Sequence, residues 1–269
     1  MRERALALVR GESDPGKGLN LLREYLQALV LRSLHESEAF RSLAFVGGTA
    51  LRFLHSLPRF SEDLDFSTVS REGYEGRSWM ARVKRDLALA GFDPTVTWNE
   101  RRAVHVGWVR LPHVLFEAGL SARPEEKLAV KLEVDTRPPA GARCERRIVT
   151  RHVTFLVQHH DLPSLLAGKL HAALTRPYTK GRDWYDLVWY LSQTPPVTPN
   201  VPLLQAALDQ TREAREAGKD DAREWRALVR ERLATLDVKA VRDDVGPFLE
   251  RREDSMLLTR ENLEGLLRG

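Results

Sequence analysis

Apolar residues recur every three or four positions over residues 19–40, where Leu22, Tyr25, Leu26, Leu29, Val30 and Leu34 share one side. That period predicts a helix with one buried face. The pattern then shortens. LAFVGG is a brief apolar run stopping at Gly47 and Gly48, and TALRFLHSL after it has helical propensity until Pro58, so strand, tight turn and helix are expected in succession. EDLDFS alternates, as does KLAVKLEVDT, where Lys131, Glu133 and Asp135 share one face and Leu132 and Val134 the other; both predict strands. RSWMARVKRDLALAGF predicts a helix ending at Gly91, and TVTWNERRAVHVGWVRL two strands about a polar turn. RRIVTRHVTFLV, after the breakers Pro138, Pro139 and Gly141, predicts one further strand.

Beyond His160 only helical patterns and loops remain, with Asp161 placed to cap a helix that has Pro163 in its first turn. The shift predicts an α/β domain over residues 1–158 and a helical domain over 159–269, the latter interrupted by the proline-rich loop 192–202. No repeat of solenoid length is visible.

Composition narrows the class. With 42% hydrophobic and 30% charged residues the 269-residue chain has the make-up of a soluble globular protein. It lacks any apolar run long enough to span a membrane, and its opening MRERALALVRGESD lacks the apolar core of a signal peptide. A cytoplasmic location is the expectation. Cys144 is the single cysteine, which excludes an internal disulfide and a cysteine-based zinc site. The net charge of +4 permits a polyanionic partner without requiring one.

The candidate chemistry lies between Phe45 and Ser67. Asp63 and Asp65, two apart on a strand, project from the same face. Their oxygens suit a hard divalent cation such as Mg2+ or Mn2+, and paired metal ions serve in-line phosphoryl transfer. A third carboxylate on a neighbouring strand would complete such a site, and Glu133 and Asp135 are the candidates, Glu133 preferred. Gly47 and Gly48 would let backbone approach a triphosphate at a helix N-terminus, with Thr49 adding a hydroxyl. Lys169, Arg176 and Arg182 supply cations further on. Singly, each motif has an ordinary reading: a tight turn, a charged edge strand, or, for Asp183, a helix cap or a partner that ties two helices together.

Taken in order, GGTALR, RFSEDLDFS, KLEV, AGKLHAALTR and KGRDWYDL closely resemble the AbiEii/AbiGii toxin family of nucleotidyltransferases, the toxins of type IV toxin–antitoxin and abortive-infection systems, with the related MenT toxins. The motifs run from Gly47 to Leu187. The resemblance implies a polymerase-beta-like nucleotidyltransferase fold, in which a mixed sheet carries the carboxylates and a helical part follows. It implies a nucleoside triphosphate substrate, a divalent metal, tRNA as an acceptor at its 3′ end, inhibited translation, and a cognate antitoxin. Carried onto this chain, Gly47, Gly48 and Thr49 would bind phosphate and Asp63 and Asp65 metal. Arg59 and Ser61 would orient the carboxylate loop, and Lys169 would contact the triphosphate. Asp183 and Asp186 match the aspartates of the last motif, one of them catalytic or organising. Rival expectations are transfer to a protein or to a small molecule such as an aminoglycoside, and a non-catalytic nucleotide-binding module.

Overall fold

A computed structural model describes residues 1–213 and 220–268. Among these residues seven strands form one mixed sheet in the order β3-β4-β5-β2-β1-β7-β6. The strands are β1 (Leu43–Val46), β2 (Asp63–Thr68), β3 (Thr95–Asn99), β4 (Val104–Leu111), β5 (Leu128–Asp135), β6 (Cys144–Val149) and β7 (Phe155–His160). The helices that accompany the sheet are α1 (Arg2–Arg10), α2 (Pro15–Glu36), α3 (Gly47–His55), α4 (Gly76–Leu89) and the single turn α5 (Val114–Glu117). From α6 (Leu162–Thr175) onward the chain is helical, through α7 (Gly181–Leu191), α8 (Val201–Glu213), α9 (Trp225–Ala234), α10 (Val238–Val245) and α11 (Arg260–Arg268). This is the expected mixed α/β class with a helical C-terminal part.

The chain forms two compact units. One comprises residues 1–56, 60–137 and 145–159; the other comprises 57–59, 138–144 and 160–269. In the sheet unit, α2 contacts α4 and β5, and α4 contacts β3. Leu22, Leu26, Leu29 and Val30 of α2, Val83 and Leu87 of α4, Leu64 and Phe66 of β2, and Val130, Leu132 and Val134 of β5 are all buried. Alternation therefore sends Asp63 and Asp65 of β2, and Lys131, Glu133 and Asp135 of β5, to the opposite face, where they are half-buried.

Local chemistry sets the ends. Asp14 caps α2 by accepting from the backbone N–H of Gly16 and Lys17, with Pro15 at the first helical position. Asp161 caps α6 in the expected way, accepting from Ser164 N–H at 2.9 Å. The stretch expected as one strand over residues 146–157 is two, β6 and β7, because Arg151–Val153 turns the chain and His152 takes a φ of 63°. That turn is held by a buried hub: Glu24 of α2 accepts from Arg52 at 2.5 Å, Arg151 at 3.0 Å and His152 at 2.8 Å. Burial opposes the charge on Glu24, but these three partners outweigh it and hold its pKa at about 2. Because Arg52 belongs to α3, the hub ties the helix after the glycine turn to α2 and to the β6–β7 turn.

Candidate active site

Strand pairing assembles the acidic face. β2 pairs β5 in parallel, with Asp63 opposite Lys131, Asp65 opposite Glu133 and Ser67 opposite Asp135. Of the two candidates for a third carboxylate, Glu133 therefore stands beside the aspartate pair. Asp135 lies two residues further along, and its Oδ1 accepts from the Arg137 N–H at 2.9 Å. Its carboxylate also closes the turn after β5.

The glycine turn touches this face directly. β1 pairs β2 antiparallel with Val46 opposite Asp65, so Gly47 arrives beside the Asp65 side chain. Gly47 has a φ of 78°, and a Cβ there would lie 2.3 Å from Asp65 Oδ2. Only glycine meets both the left-handed backbone and the close approach. The first turn of α3 has no side-chain cap, and its partial positive charge lies next to the Asp65 carboxylate. Thr49 is buried, and its hydroxyl donates to the main-chain carbonyl of Asp63. Thr49 thereby fastens α3 to β2. The preceding loop is fastened too, since Gln27 Nε2 donates to the carbonyls of Ser61 at 3.1 Å and Glu62 at 2.8 Å.

Lys131 is the residue on this face to which the sequence reading gave no role. Its Nζ lies 2.8 Å from Glu133 Oε1. Burial disfavours its charge, but the attraction of Glu133, Asp63 and Asp65 outweighs this and raises its pKa. The acidic face thus already holds one internal cation. The strand alternation put Lys131 beside Glu133; only the register shows that it also faces Asp63.

In the helical unit the candidate residues form a buried ion network. Arg59 grips Asp186 with two hydrogen bonds of 2.6 Å, the two side chains being 1% and 0% exposed. Lys169 Nζ lies 2.8 Å from Asp186 and 3.1 Å from Asp183, and Arg176 lies 2.7 Å from the other Asp183 oxygen. Burial opposes the charge on Asp183, yet Lys169 and Arg176 hold its carboxyl below the usual range. Asp183 sits in the first turn of α7, whose N-cap is Lys180, so it is a cross-link and not a cap. Arg182 stacks on Phe248, 4.1 Å from the ring centre. Burial, with Arg182 and Arg176 close by, pushes the Lys180 amine down.

The sequence matches the model of the family described as "Nucleotidyl transferase AbiEii toxin, Type IV TA system" over residues 29–260. This chain is a member of the AbiEii nucleotidyltransferase toxin family. Membership makes it a nucleotidyltransferase, with a nucleoside triphosphate as substrate and a cognate antitoxin as partner. The structure is similar to that of JHP933 from Helicobacter pylori, with a TM-score of 0.48 and 19% identity over 93% of each chain. It is also similar to an H. pylori protein described as a candidate nucleotidyltransferase, with a TM-score of 0.48 and 16% identity over 92% of this chain and 96% of the other. Comparison with curated proteins gives no match. Among the described residues no helix is long and apolar enough to cross a membrane.

The family's divalent metal has a chemically suitable donor set in this AbiEii member. Asp63, Asp65 and Glu133 are hard oxygen ligands on one face. Among the described residues no three acidic, histidine or cysteine groups are already gathered at metal-holding distances, and Glu133 is turned to Lys131. The ammonium is a competitor for the same carboxylates. Lys131→Met is accordingly expected to tighten Mn2+ binding roughly tenfold, as removal of one partly screened charge should. Calorimetric titration checks this; unchanged or weaker binding would show that Lys131 does not compete with metal.

Gly47→Ala tests the turn. A left-handed alanine costs about 1–2 kcal/mol and a forced close contact about 1–3 more. Urea denaturation should therefore show a loss of about 2–5 kcal/mol, and the displaced Asp65 should cost activity. A variant with wild-type stability and activity would refute the packing constraint.

Proposed function

We propose that this AbiEii-family protein is a metal-dependent toxin that transfers a nucleoside monophosphate from a triphosphate to the 3′ end of tRNA, and so blocks translation. The observation that carries the reading is the acidic row of Asp63, Asp65 and Glu133, set against an uncapped helix N-terminus entered through Gly47. The tRNA acceptor rests on the family resemblance and agrees with the chain's basic balance.

In this reading Asp63, Asp65 and Glu133 hold the divalent cation, which when bound neutralises phosphate charge and lowers the pKa of the attacking hydroxyl. Gly47 and Gly48 bring backbone and the α3 N-terminus to the phosphates. The acceptor oxygen bonds to the α phosphorus while the bond to the bridging oxygen breaks; pyrophosphate departs and the hydroxyl proton is lost to water. Positioning and charge compensation supply most of the rate. In the helical unit, Asp183 and Asp186 organise the cations Lys169 and Arg176. Arg59, clamped to Asp186, belongs to the same framework, and Ser61 to the anchored loop before Asp63.

The test is incubation of the purified protein with Mg2+, each α-labelled triphosphate in turn, and total tRNA. Label on tRNA is the expected result, and it names the nucleotide. Label on the protein or a small molecule instead would replace the acceptor, and no label anywhere would overturn the transferase reading.

A further inference from the structure

We infer that Trp108 and Arg110 of β4 form a nucleobase-stacking platform on the same sheet face as the catalytic carboxylates, an assignment that rests on the nucleotidyltransfer reading and deepens it. The pairing places Thr97, Trp108, Lys131 and Asp63 in one row across four neighbouring strands. Residues opposed in this way share a face, so the indole lies on the acidic side of the sheet. Two strand spacings separate Trp108 from Asp63, about 10 Å between backbones, a distance that one nucleotide bridges.

The surroundings of the ring suit a base and its phosphate. Trp108 is half-buried, and on β3 beyond it Thr95, Thr97 and Asn99 are exposed. The Arg110 guanidinium lies over the indole, 4.9 Å from the ring centre, and the Lys131 ammonium approaches the same ring at 5.8 Å. Arg110 has no carboxylate partner among the described residues; its remaining contact is a 3.4 Å hydrogen bond from Nη1 to Thr97 Oγ1. An aromatic face, a stacked guanidinium without a counter-anion and a row of hydroxyl and amide groups are the parts with which sheet surfaces read single-stranded nucleotides. By contrast, the indole of Trp98 on β3 points to the opposite face, where Gly76 and Gly107 admit it closely. Packing explains Trp98 and leaves Trp108 on the open side.

The base belongs either to the incoming triphosphate or to the terminal nucleotide of the acceptor, and one experiment separates them. Wild type, Trp108→Ala, Trp108→Phe and Arg110→Gln are compared for binding of labelled triphosphates and of a short single-stranded RNA, with Mn2+ titration and melting temperature alongside. Photo-cross-linking with 4-thiouridine, carried once by the triphosphate and once by the RNA 3′ end, reports the neighbour of each base. Trp108→Ala should weaken binding of one of the two ligands roughly tenfold or more. Trp108→Phe should retain most of it, Mn2+ binding should stay at wild-type strength, and the affected ligand should cross-link within β3 or β4. The platform is overturned if Trp108→Ala binds both ligands as wild type does, or if neither cross-link maps to these strands while both ligands bind. Wild type that binds metal but neither ligand would overturn the nucleotidyltransferase reading itself, and the platform with it.

Discussion

An Asp65→Asn protein is expected to melt at the wild-type temperature while transferring nucleotide at no more than roughly one-thousandth of the wild-type rate. The amide keeps the size of the carboxylate, so the close approach of Gly47 is preserved, and the side chain is half-buried on a solvent-facing row. What is lost is one negative oxygen pair from the face proposed to hold a cation against phosphate. Asp63→Asn should behave alike, since Asp63 lies on the same face, opposite Lys131. Label transfer and a thermal melt on the same preparation make the comparison. Retention of more than about a tenth of the activity in both variants would remove these aspartates from the chemistry, because loss of such a group costs a hundredfold or more.

Asp186→Ala should have the largest effect on stability, about 3–5 kcal/mol. The substitution strips a bidentate partner from Arg59 and a 2.8 Å partner from Lys169, while the first cation is buried and the second 13% exposed. Truncating one side of such a pair leaves a desolvated charge, whereas replacing both sides with apolar groups is often tolerated. The double variant Arg59→Leu, Asp186→Leu should therefore recover much of the loss seen in the single variant. Denaturant titration of the three proteins decides the matter. If Asp186→Ala keeps wild-type stability but loses activity, Asp186 is a participant in the chemistry and not a framework residue.

Much of the fold could be read from periodicity alone. α2, α4, β2 and β5 carry their period in the apolar residues that the core buries, and the Asp161 cap sits where local hydrogen bonding requires it. The β6–β7 turn escaped because it contains neither glycine nor proline; His152 takes the left-handed conformation while its ring bonds to a buried glutamate in a distant helix. The same limit applies to the site. The Asp63 and Asp65 spacing and the glycine turn are local features and could be found locally. The choice between Glu133 and Asp135 depends on the register of two strands far apart in sequence, and so does the approach of Lys131 to Asp63. Thr49 looked like a local donor, and its hydroxyl is engaged by β2; of the two readings open for Asp183, cap or tie between helices, the structure has the tie.

The parallel pairing of β2 with β5 also bears on when the acidic face is completed during the protein's own synthesis. A chain that has emerged only as far as α4, β3 and β4 owns both aspartates, but neither Glu133 nor the lysine that accompanies it. Joining two strands across so long an intervening stretch is a late step, because loop closure precedes the contacts that reward it. The ribosome that makes this toxin therefore carries an unfinished acidic face until β5 has left the exit tunnel, and a fragment released before Leu128 has no complete one.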